Sequence, residues 1–161
     1  MDRIIKFRGK IKDKNRAKEL NLKVGDWVYG YYFHDEGIIV HKKEIKKFDR
    51  HYIINTPYIG EFIEVMPETL GQFTGVYDKN KKEIYTSDIV RLTEKKNISK
   101  NKVIPMKPII AEIKWSEEYL TYILITLSIK DAFENLADYL EEYDIEKIGN
   151  VYDNKNLLEE E

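Results

Sequence analysis

Short runs of β-branched and aromatic residues recur along most of this chain, and they restrict the folds open to it. Runs such as DWVYGYYF, GIIVHKK, EFIEVM and IIAEIKW are separated by short turn-forming segments. This pattern is typical of antiparallel strands joined by hairpins. We therefore predict a mainly β (α+β) fold in which short antiparallel strands form small SH3-like barrel or sheet units.

Two local patterns predict structure in the first third of the chain. In RIIKFRGK, Ile5 and Phe7 alternate with Lys6 and Arg8, so we expect an N-terminal strand that buries its apolar residues. The polar residues 34–36, HDE, separate two apolar runs and are expected to form the turn of a hairpin.

The stretch GQFTGVYDKNKKEIYTSDIV, residues 71–90, predicts strands around a compact polar turn. Asp78 and Asn80 are the expected turn formers, because their side chains readily bond to nearby backbone groups. The side chains expected in the core are Phe73, Val76, Ile84, Ile89 and Val90.

One amphipathic helix is predicted near the C-terminus, in SIKDAFENLADYLEEY. Asp131 or Ser128 is expected to cap its start. Steps of three and four residues place the following apolar side chains on one helical face: Ile129, Phe133, Leu136, Leu140 and Tyr143.

The chain is expected to be a single domain over residues 1–161, with two β sub-units at about 1–66 and 67–161. An exposed basic loop is predicted at 93–102, because the surrounding segment, RLTEKKNISKNKVIPMKP, is rich in Lys, Asn and Pro.

Charges are balanced overall but not along the chain. The protein has 27 basic and 29 acidic residues and a formal net charge of -2, so no global attraction to nucleic acid or membrane is expected. Residues 1–50 carry 14 basic and 8 acidic side chains, whereas residues 101–161 carry 6 basic and 14 acidic ones. This asymmetry suits head-to-tail contacts between subunits, although a solvated surface is the simpler explanation.

The composition also bears on location. Cysteine is absent, which excludes disulfides and thiolate metal sites. The start, MDRIIKFRGK, is too charged for a signal peptide, and no apolar run approaches the roughly 20 residues that span a bilayer. We therefore expect a cytoplasmic protein without a membrane partner.

No catalytic, metal or cofactor site is predicted. His34, His41 and His51 come from separate segments without metal-ligand spacing, so each is expected to be structural or solvated. The serines lie in no G-x-S-x-G elbow, and the glycines form no phosphate-binding loop. An enzyme would require Asp26, Asp88 or His34 to converge in a cleft, and we expect none.

Nucleic-acid binding is an alternative that the sequence leaves open. Small β-rich domains bind single strands through exposed aromatic and basic side chains. Tyr29, Tyr31 and Tyr32 are close together in sequence, although alternate residues of their strand are expected in the core. The basic residues expected to contact nucleic acid are Lys95, Lys96, Lys100 and Lys102.

Two segments share a short pattern. VGDWVYG, residues 24–30, and TSDIVRL, residues 86–92, each place a small residue and Asp before an apolar residue and Val. We expect each Asp side chain to accept a backbone N–H group just before a strand begins. The pattern suggests two related β units.

Four segments, in order, resemble the hallmarks of the YopX family: IKFRGK, DWVYG, VMPETLGQFTGVYDKNKKEIYTSDIV, and IGNVYDN followed by LL. The resemblance extends over nearly the whole chain. It implies a phage- or prophage-encoded protein of a bacterial host, with a largely β fold and a tendency to self-associate. It implies no catalytic residues.

The chain departs from the family pattern at two positions, because Lys81 and Ser87 stand where the family usually has glycine. A left-handed residue is expected in the turn at Asn80 or Lys81. A lysine in that conformation would cost about 1 kcal/mol relative to glycine.

These observations favour a non-enzymatic phage or prophage accessory protein. We expect a homo-oligomeric protein-interaction module with an unknown phage or host protein as a further partner. The alternative is a nucleic-acid-binding regulatory module that uses the lysine-rich loop and exposed tyrosines.

Overall fold

Strands make up most of the regular structure, as the recurring β-branched and aromatic runs predict. A computed structural model describes residues 4–41, 44–54, 61–95, 107–126 and 134–159. The chain divides into two compact units, Met1–Phe73 and Thr74–Glu161, whereas the sequence suggested a division near residue 66.

The strands are β1 (Phe7–Lys10), β2 (Trp27–His41), β3 (Glu44–Ile54), β4 (Phe62–Val65), β5 (Gly71–Tyr77), β6 (Glu83–Tyr85), β7 (Asp88–Glu94), β8 (Ile109–Ser116), β9 (Thr121–Thr126), β10 (Glu134–Asn135) and β11 (Tyr143–Asn150). The α-helices are α1 (Lys14–Glu19) and α2 (Leu136–Glu142). Among the described residues, neither helix has the length and apolar character needed to cross a membrane.

Unit 1 is built on antiparallel strands in the order β4-β3-β2-β1-β5. Strand β2 pairs with β1 as far as Gly30 and with β3 from Tyr31 onward. Glycine is needed at this crossing because a Cβ at Gly30 would lie 2.1 Å from the carbonyl oxygen of Ile54. The core of unit 1 contains Ile11, Ala17, Val28, Ile53, Ile63 and Val65.

The predicted hairpin turn at residues 34–36 is wrong. These residues lie inside β2, which continues to His41 and pairs with β3 without a break in register. Polar residues suit this position because both β2 and β3 expose side chains here. The chain reverses direction between His41 and Glu44 instead.

The N-terminal strand begins later than the alternation predicts. Ile5 precedes β1 and is exposed, whereas Arg8 within β1 is only 1% exposed, so the predicted buried face is wrong. Arg8 is buried because β1 lies between β2 and β5, and its guanidinium carbon lies 4.4 Å from the centre of the Trp27 ring. The planar cation is accommodated by stacking on the indole.

Unit 2 contains an antiparallel five-stranded sheet in the order β10-β9-β8-β7-β11. Its core consists of apolar side chains from the strands and from α2: Ile84, Val90, Leu92, Ala111, Ile113, Tyr122, Leu124, Leu136 and Ile145. The described strands form open sheets, which confirms the mainly β, α+β class. The SH3-like barrel stays a prediction.

The stretch 71–90 forms the predicted strands and turn. The Asp78 carboxylate accepts the backbone N–H groups of Asn80 and Lys82, at 2.7 and 2.8 Å. Four of the expected core residues are buried: Phe73, Ile84, Ile89 and Val90. The fifth, Val76, is partly buried against the unit 2 core.

Helix α2 is shorter than predicted. It begins after Asn135, whose side chain caps it by accepting the N–H of Ala137. Tyr143 starts β11 rather than ending the helix. The other residues assigned to the helical face or its cap lie outside the described residues: Ser128, Ile129, Asp131 and Phe133.

The two Asp turns have the predicted geometry. Asp26 accepts the backbone N–H of Lys23 and Asp88 accepts that of Tyr85, both at 2.8 Å. The preceding residues, Gly25 and Ser87, have φ values of 91° and 66°. A left-handed residue before each Asp lets the chain bend sharply into the next strand.

Candidate functional site

The outer part of β2 and β3 exposes both of its faces. We call this segment the outer ribbon, Asp35–His41 with Glu44–Arg50. Strand β4 pairs with β3 only from His51 to Ile54. Ile38 and Ile39 point to opposite faces because they are adjacent in a strand, and both are exposed. The outer ribbon therefore exposes apolar side chains on both faces.

One face of β2, β3 and β4 carries a set of rings, which we call the aromatic face: Tyr29, Tyr31, Phe33 and Phe62, which are exposed, and Tyr52, which is half-buried. Phe33 is the centre of the set, with ring centroids 6.3 Å from Tyr52 and 5.5 Å from Phe62. Tyr52 and Phe62 meet edge to face at 5.7 Å. The rings come from three neighbouring strands, β2, β3 and β4.

Cationic groups border the aromatic face. The Lys6 ammonium lies 5.9 Å from the centre of the Tyr29 ring. Arg50 precedes Tyr52 by two residues on the same face of β3, and its guanidinium lies 5.4 Å from the Phe48 ring. Interaction with Tyr52 raises the pKa of Arg50, so the cation persists at every physiological pH.

The opposite face holds what we call the His–Asp cluster: Tyr32, His34, Asp49 and His51. His34 and His51 are direct cross-strand partners, with rings stacked at 4.6 Å between centroids. Both rings direct Nε2 toward Asp49 Oδ1, at 2.6 Å from His34 and 3.3 Å from His51. The Tyr32 hydroxyl lies 2.8 Å from His51 Nδ1.

The cluster alters the acidity of two of its members. The hydrogen bond with His34, helped by the charge of both imidazoles, lowers the pKa of Asp49. Burial raises the pKa of Tyr32, and the nearby Asp49 charge acts in the same direction. Asp49 is therefore an anion, and Tyr32 a neutral phenol, at neutral pH.

The sequence did not reveal the His–Asp cluster, because the turn was predicted at residues 34–36. The register of β2 with β3 instead pairs His34 with His51, and Asp49 shares their face because it is two residues from His51. A prediction that the chain reverses between His41 and Glu44 would have placed His34 opposite His51, and the cluster would then have been predictable. The side chain of His41 lies outside the described residues.

Lys95 is the described member of the predicted lysine set. Its ammonium donates to the carbonyl oxygen of Leu140 at 2.7 Å, and its backbone N–H donates to Glu142 at 2.8 Å. Lys95 thus contacts the carbonyl end of α2, where a cation is favourable. The three other lysines, Lys96, Lys100 and Lys102, lie outside the described residues, and nucleic-acid contact by this set stays a prediction.

The first two residues of the loop predicted at 93–102 lie in a strand. Thr93 and Glu94 are the last residues of β7, and Lys95 follows them directly. The pairing of β7 with β11 extends to Glu94, which lies opposite Tyr143.

The carboxylates considered for catalysis hold turns. Asp26 and Asp88 each accept a backbone N–H, as described above, and Asp88 is also 2.8 Å from the Lys147 ammonium. His34 lies on β2 with Asp49 as its partner. Among the described residues, Asp26 and Asp88 are thus each engaged in a turn, and His34 is engaged with Asp49.

A family model and a solved structure match this chain. Among curated proteins, none matches the chain. The crystal structure of protein EF1440 from Enterococcus faecalis matches 98% of this chain and 99% of its own chain, with 19% identity and a TM-score of 0.46. The family model described as YopX protein matches residues 6–159. Because this match includes almost the whole sequence, the chain belongs to the YopX family.

Proposed function

We propose that this protein is a non-enzymatic protein-interaction module that self-associates through its aromatic face. The observation that carries the proposal is the set of four exposed rings, with half-buried Tyr52 between two of them, on β2, β3 and β4. Exposed Tyr31 and Phe33 cost free energy in water, at about 25 cal/mol per Å² of apolar surface. Contact with a partner would remove this cost, and aromatic residues are enriched in such interfaces.

Charge supports a second copy as the occupant. Exposed cations flank the aromatic face on β3, at Lys46 and Arg50. Exposed acidic side chains lie on and after α2, including Asp138 and Glu141. The cationic border of one copy would meet the acidic surface of the next, which steers a head-to-tail contact.

The cellular setting that we propose rests on the resemblance to the family. That resemblance implies a phage or prophage product, which supports a role in the cytoplasm of a bacterial host. A phage or host protein would then be a further partner, which either competes with self-association or binds to the self-associated form.

Light scattering and sedimentation velocity test self-association. We expect a mass above that of the monomer at high micromolar concentration, decreasing as salt is added because the contact is partly electrostatic. Tyr31→Ala should lower the apparent association constant about tenfold, as expected for loss of a contact worth more than 1 kcal/mol.

Tyr119→Ala is the matched control, because Tyr119 is an exposed tyrosine of unit 2 with 52% exposure, against 55% for Tyr31. It should associate like the wild type. A protein that remains monomeric at high micromolar concentration contradicts the proposal.

Single-stranded nucleic acid is a second candidate ligand, favoured by the cations beside the rings. Bases stack on exposed aromatic side chains, and each stacked base contributes about 1–3 kcal/mol. Lys6 and Arg50 lie close enough to the aromatic face to contact phosphates of the same strand.

Fluorescence anisotropy with labelled single-stranded DNA and RNA tests this candidate. Binding should weaken with added salt, and Tyr31→Ala should weaken it at every salt concentration. Joint neutralisation of Lys95, Lys96 and Lys100 tests the lysine-rich loop separately. Salt-independent retention, or equal binding by the Tyr31 variant, would exclude the aromatic face as a nucleic-acid site.

A further inference from the structure

We propose that His34, Asp49 and His51 form a binding site for a divalent transition-metal ion of the zinc class. The three side chains offer two imidazole nitrogens and one carboxylate oxygen, all within 4.8 Å of one another. Two imidazoles and a carboxylate are a common ligand set for zinc and for other ions of its class.

The strand register brings the three donors together. His34 and His51 are opposite each other on β2 and β3, and Asp49 is two residues from His51 on the same face. Paired strands hold side chains in a narrow range of positions, so the donors are pre-arranged by backbone hydrogen bonds.

The atoms that face one another are suitable ligand atoms. His34 Nε2 is 2.6 Å from Asp49 Oδ1, and His51 Nε2 is 3.3 Å from the same oxygen. A tetrahedral ion about 2.0–2.2 Å from each donor requires donors about 3.3–3.6 Å apart. Small rotations of the exposed Asp49 carboxylate would open this space for the ion.

Tyr32 orients one of the ligands. Its hydroxyl lies 2.8 Å from His51 Nδ1. When Nδ1 carries the proton and donates it to the phenol oxygen, Nε2 keeps its lone pair for the metal. Such outer contacts fix the tautomer of metal-binding histidines, and their removal lowers metal affinity about 10–100-fold. Tyr32 is therefore assigned as a positioning residue.

The site would leave coordination positions open. Three protein ligands account for three of the four positions that zinc prefers, and water fills the remainder. His34 and Asp49 are exposed, so the ion has direct access from solvent. The open coordination position on the surface of β2 and β3 could also accept a ligand atom from a partner protein.

Zinc titration of the full-length chain tests the proposal. Protein freed of metal with a chelator is titrated with zinc chloride by calorimetry, and with Co²⁺ by visible absorption. We expect one ion per chain and ligand-field bands typical of nitrogen and oxygen donors. Absence of binding at a tenfold excess of zinc over protein overturns the proposal.

Variants test which residues bind the ion. His34→Ala, His51→Ala and Asp49→Asn should each lower the affinity at least tenfold, and Tyr32→Phe about tenfold without changing the stoichiometry. His41→Ala is the matched control, because residue 41 is about 23 Å from His34 along β2. Equal losses in the His41 and His34 variants would overturn the assignment.

A measurement on the wild-type chain avoids dependence on how the variants fold. In ¹⁵N–¹H spectra of the imidazoles, zinc should shift Nε2 of His34 and His51 and leave His41 unchanged. Unshifted His34 and His51 signals in the presence of bound zinc would place the ion elsewhere. In that case the His–Asp cluster is only a hydrogen-bonded contact between strands.

Discussion

The carboxylate of Asp88 lies 2.8 Å from the ammonium of Lys147, and Asp88 is completely buried. The same carboxylate accepts the backbone N–H of Tyr85. One side chain thus closes the turn before β7 and supplies the counter-charge for a cation on β11. Unit 2 depends on this carboxylate at two places.

Replacement of Asp88 by Ala should lower the free energy of unfolding by about 3 kcal/mol, because it leaves the Lys147 ammonium without this counter-charge and the Tyr85 N–H without its acceptor. Urea denaturation with an unchanged m value measures the loss. Asp26→Ala is the matched control, because Asp26 makes the equivalent turn bond at a more exposed site, and it should cost only about 1 kcal/mol. Equal losses would show that the ion pair contributes nothing.

Glycine at position 81 should stabilise the protein. Lys81 has φ 63°, a left-handed conformation that costs a side-chain-bearing residue about 1 kcal/mol relative to glycine. We expect Lys81→Gly to raise the free energy of unfolding by about that amount, measured by urea denaturation. Lys82→Gly, at a neighbouring position that is not left-handed, should lower it by about 0.5–1 kcal/mol. A destabilised Lys81→Gly variant would show that the lysine side chain makes a favourable contact.

Ser87→Gly should have a similar but smaller effect. Ser87 has φ 66°, and its hydroxyl lies 3.4 Å from that of Tyr152, so glycine gains backbone freedom but loses a weak contact. We expect a gain below that of Lys81→Gly, and thermal unfolding can compare the two variants directly. A larger gain at position 87 would contradict this order.

Stability should decrease in acid because of Asp78. Burial alone would raise the pKa of Asp78, but backbone N–H groups of Lys82, Lys147 and Asn80 together lower it. The folded-state pKa is thus below the unfolded value of about 3.9, so the native state binds fewer protons. The contribution of Asp78 is present above about pH 4 and is lost as the pH falls through the folded-state pKa.

Asp78→Asn provides the measurement. At pH 7 it should lower the free energy of unfolding by about 1.5–3 kcal/mol, since hydrogen bonds to a charged acceptor are lost. The difference from wild type should shrink as the pH approaches 2. Glu118→Gln, on the exposed turn between β8 and β9, is the control and should leave the free energy of unfolding at pH 7 nearly unchanged. A constant difference at all pH values would exclude Asp78 as the source.

Alanine at position 30 should destabilise unit 1. Its Cβ would lie 2.1 Å from the Ile54 carbonyl oxygen, so the backbone of β2 or β3 must move. We expect a loss of about 2–3 kcal/mol in urea denaturation. Gly37→Ala should cost less, because its Cβ would meet the Phe48 ring, which can rotate away. Equal losses would show that side-chain crowding matters as much as backbone crowding.

Local structure was predictable where it depends on neighbouring residues. The strands of residues 71–90, the Asp78 turn and the two Asp turns follow from residue types within a few positions of one another. Short polar side chains bond to the nearest backbone groups, and alternation defines a buried face. The family assignment also came from sequence, and the match over residues 6–159 confirms it.

Pairing between distant strands was decided only by the tertiary structure. A polar triplet such as residues 34–36 can form a turn or continue a strand, and the outcome depends on whether β3 is available as a partner. The same pairing places His34 against His51, and the position of β1 between two strands buries Arg8. Sequence determined most of the strands and the Asp turns, whereas register determined which side chains meet, because register arises from contacts between residues far apart in the chain.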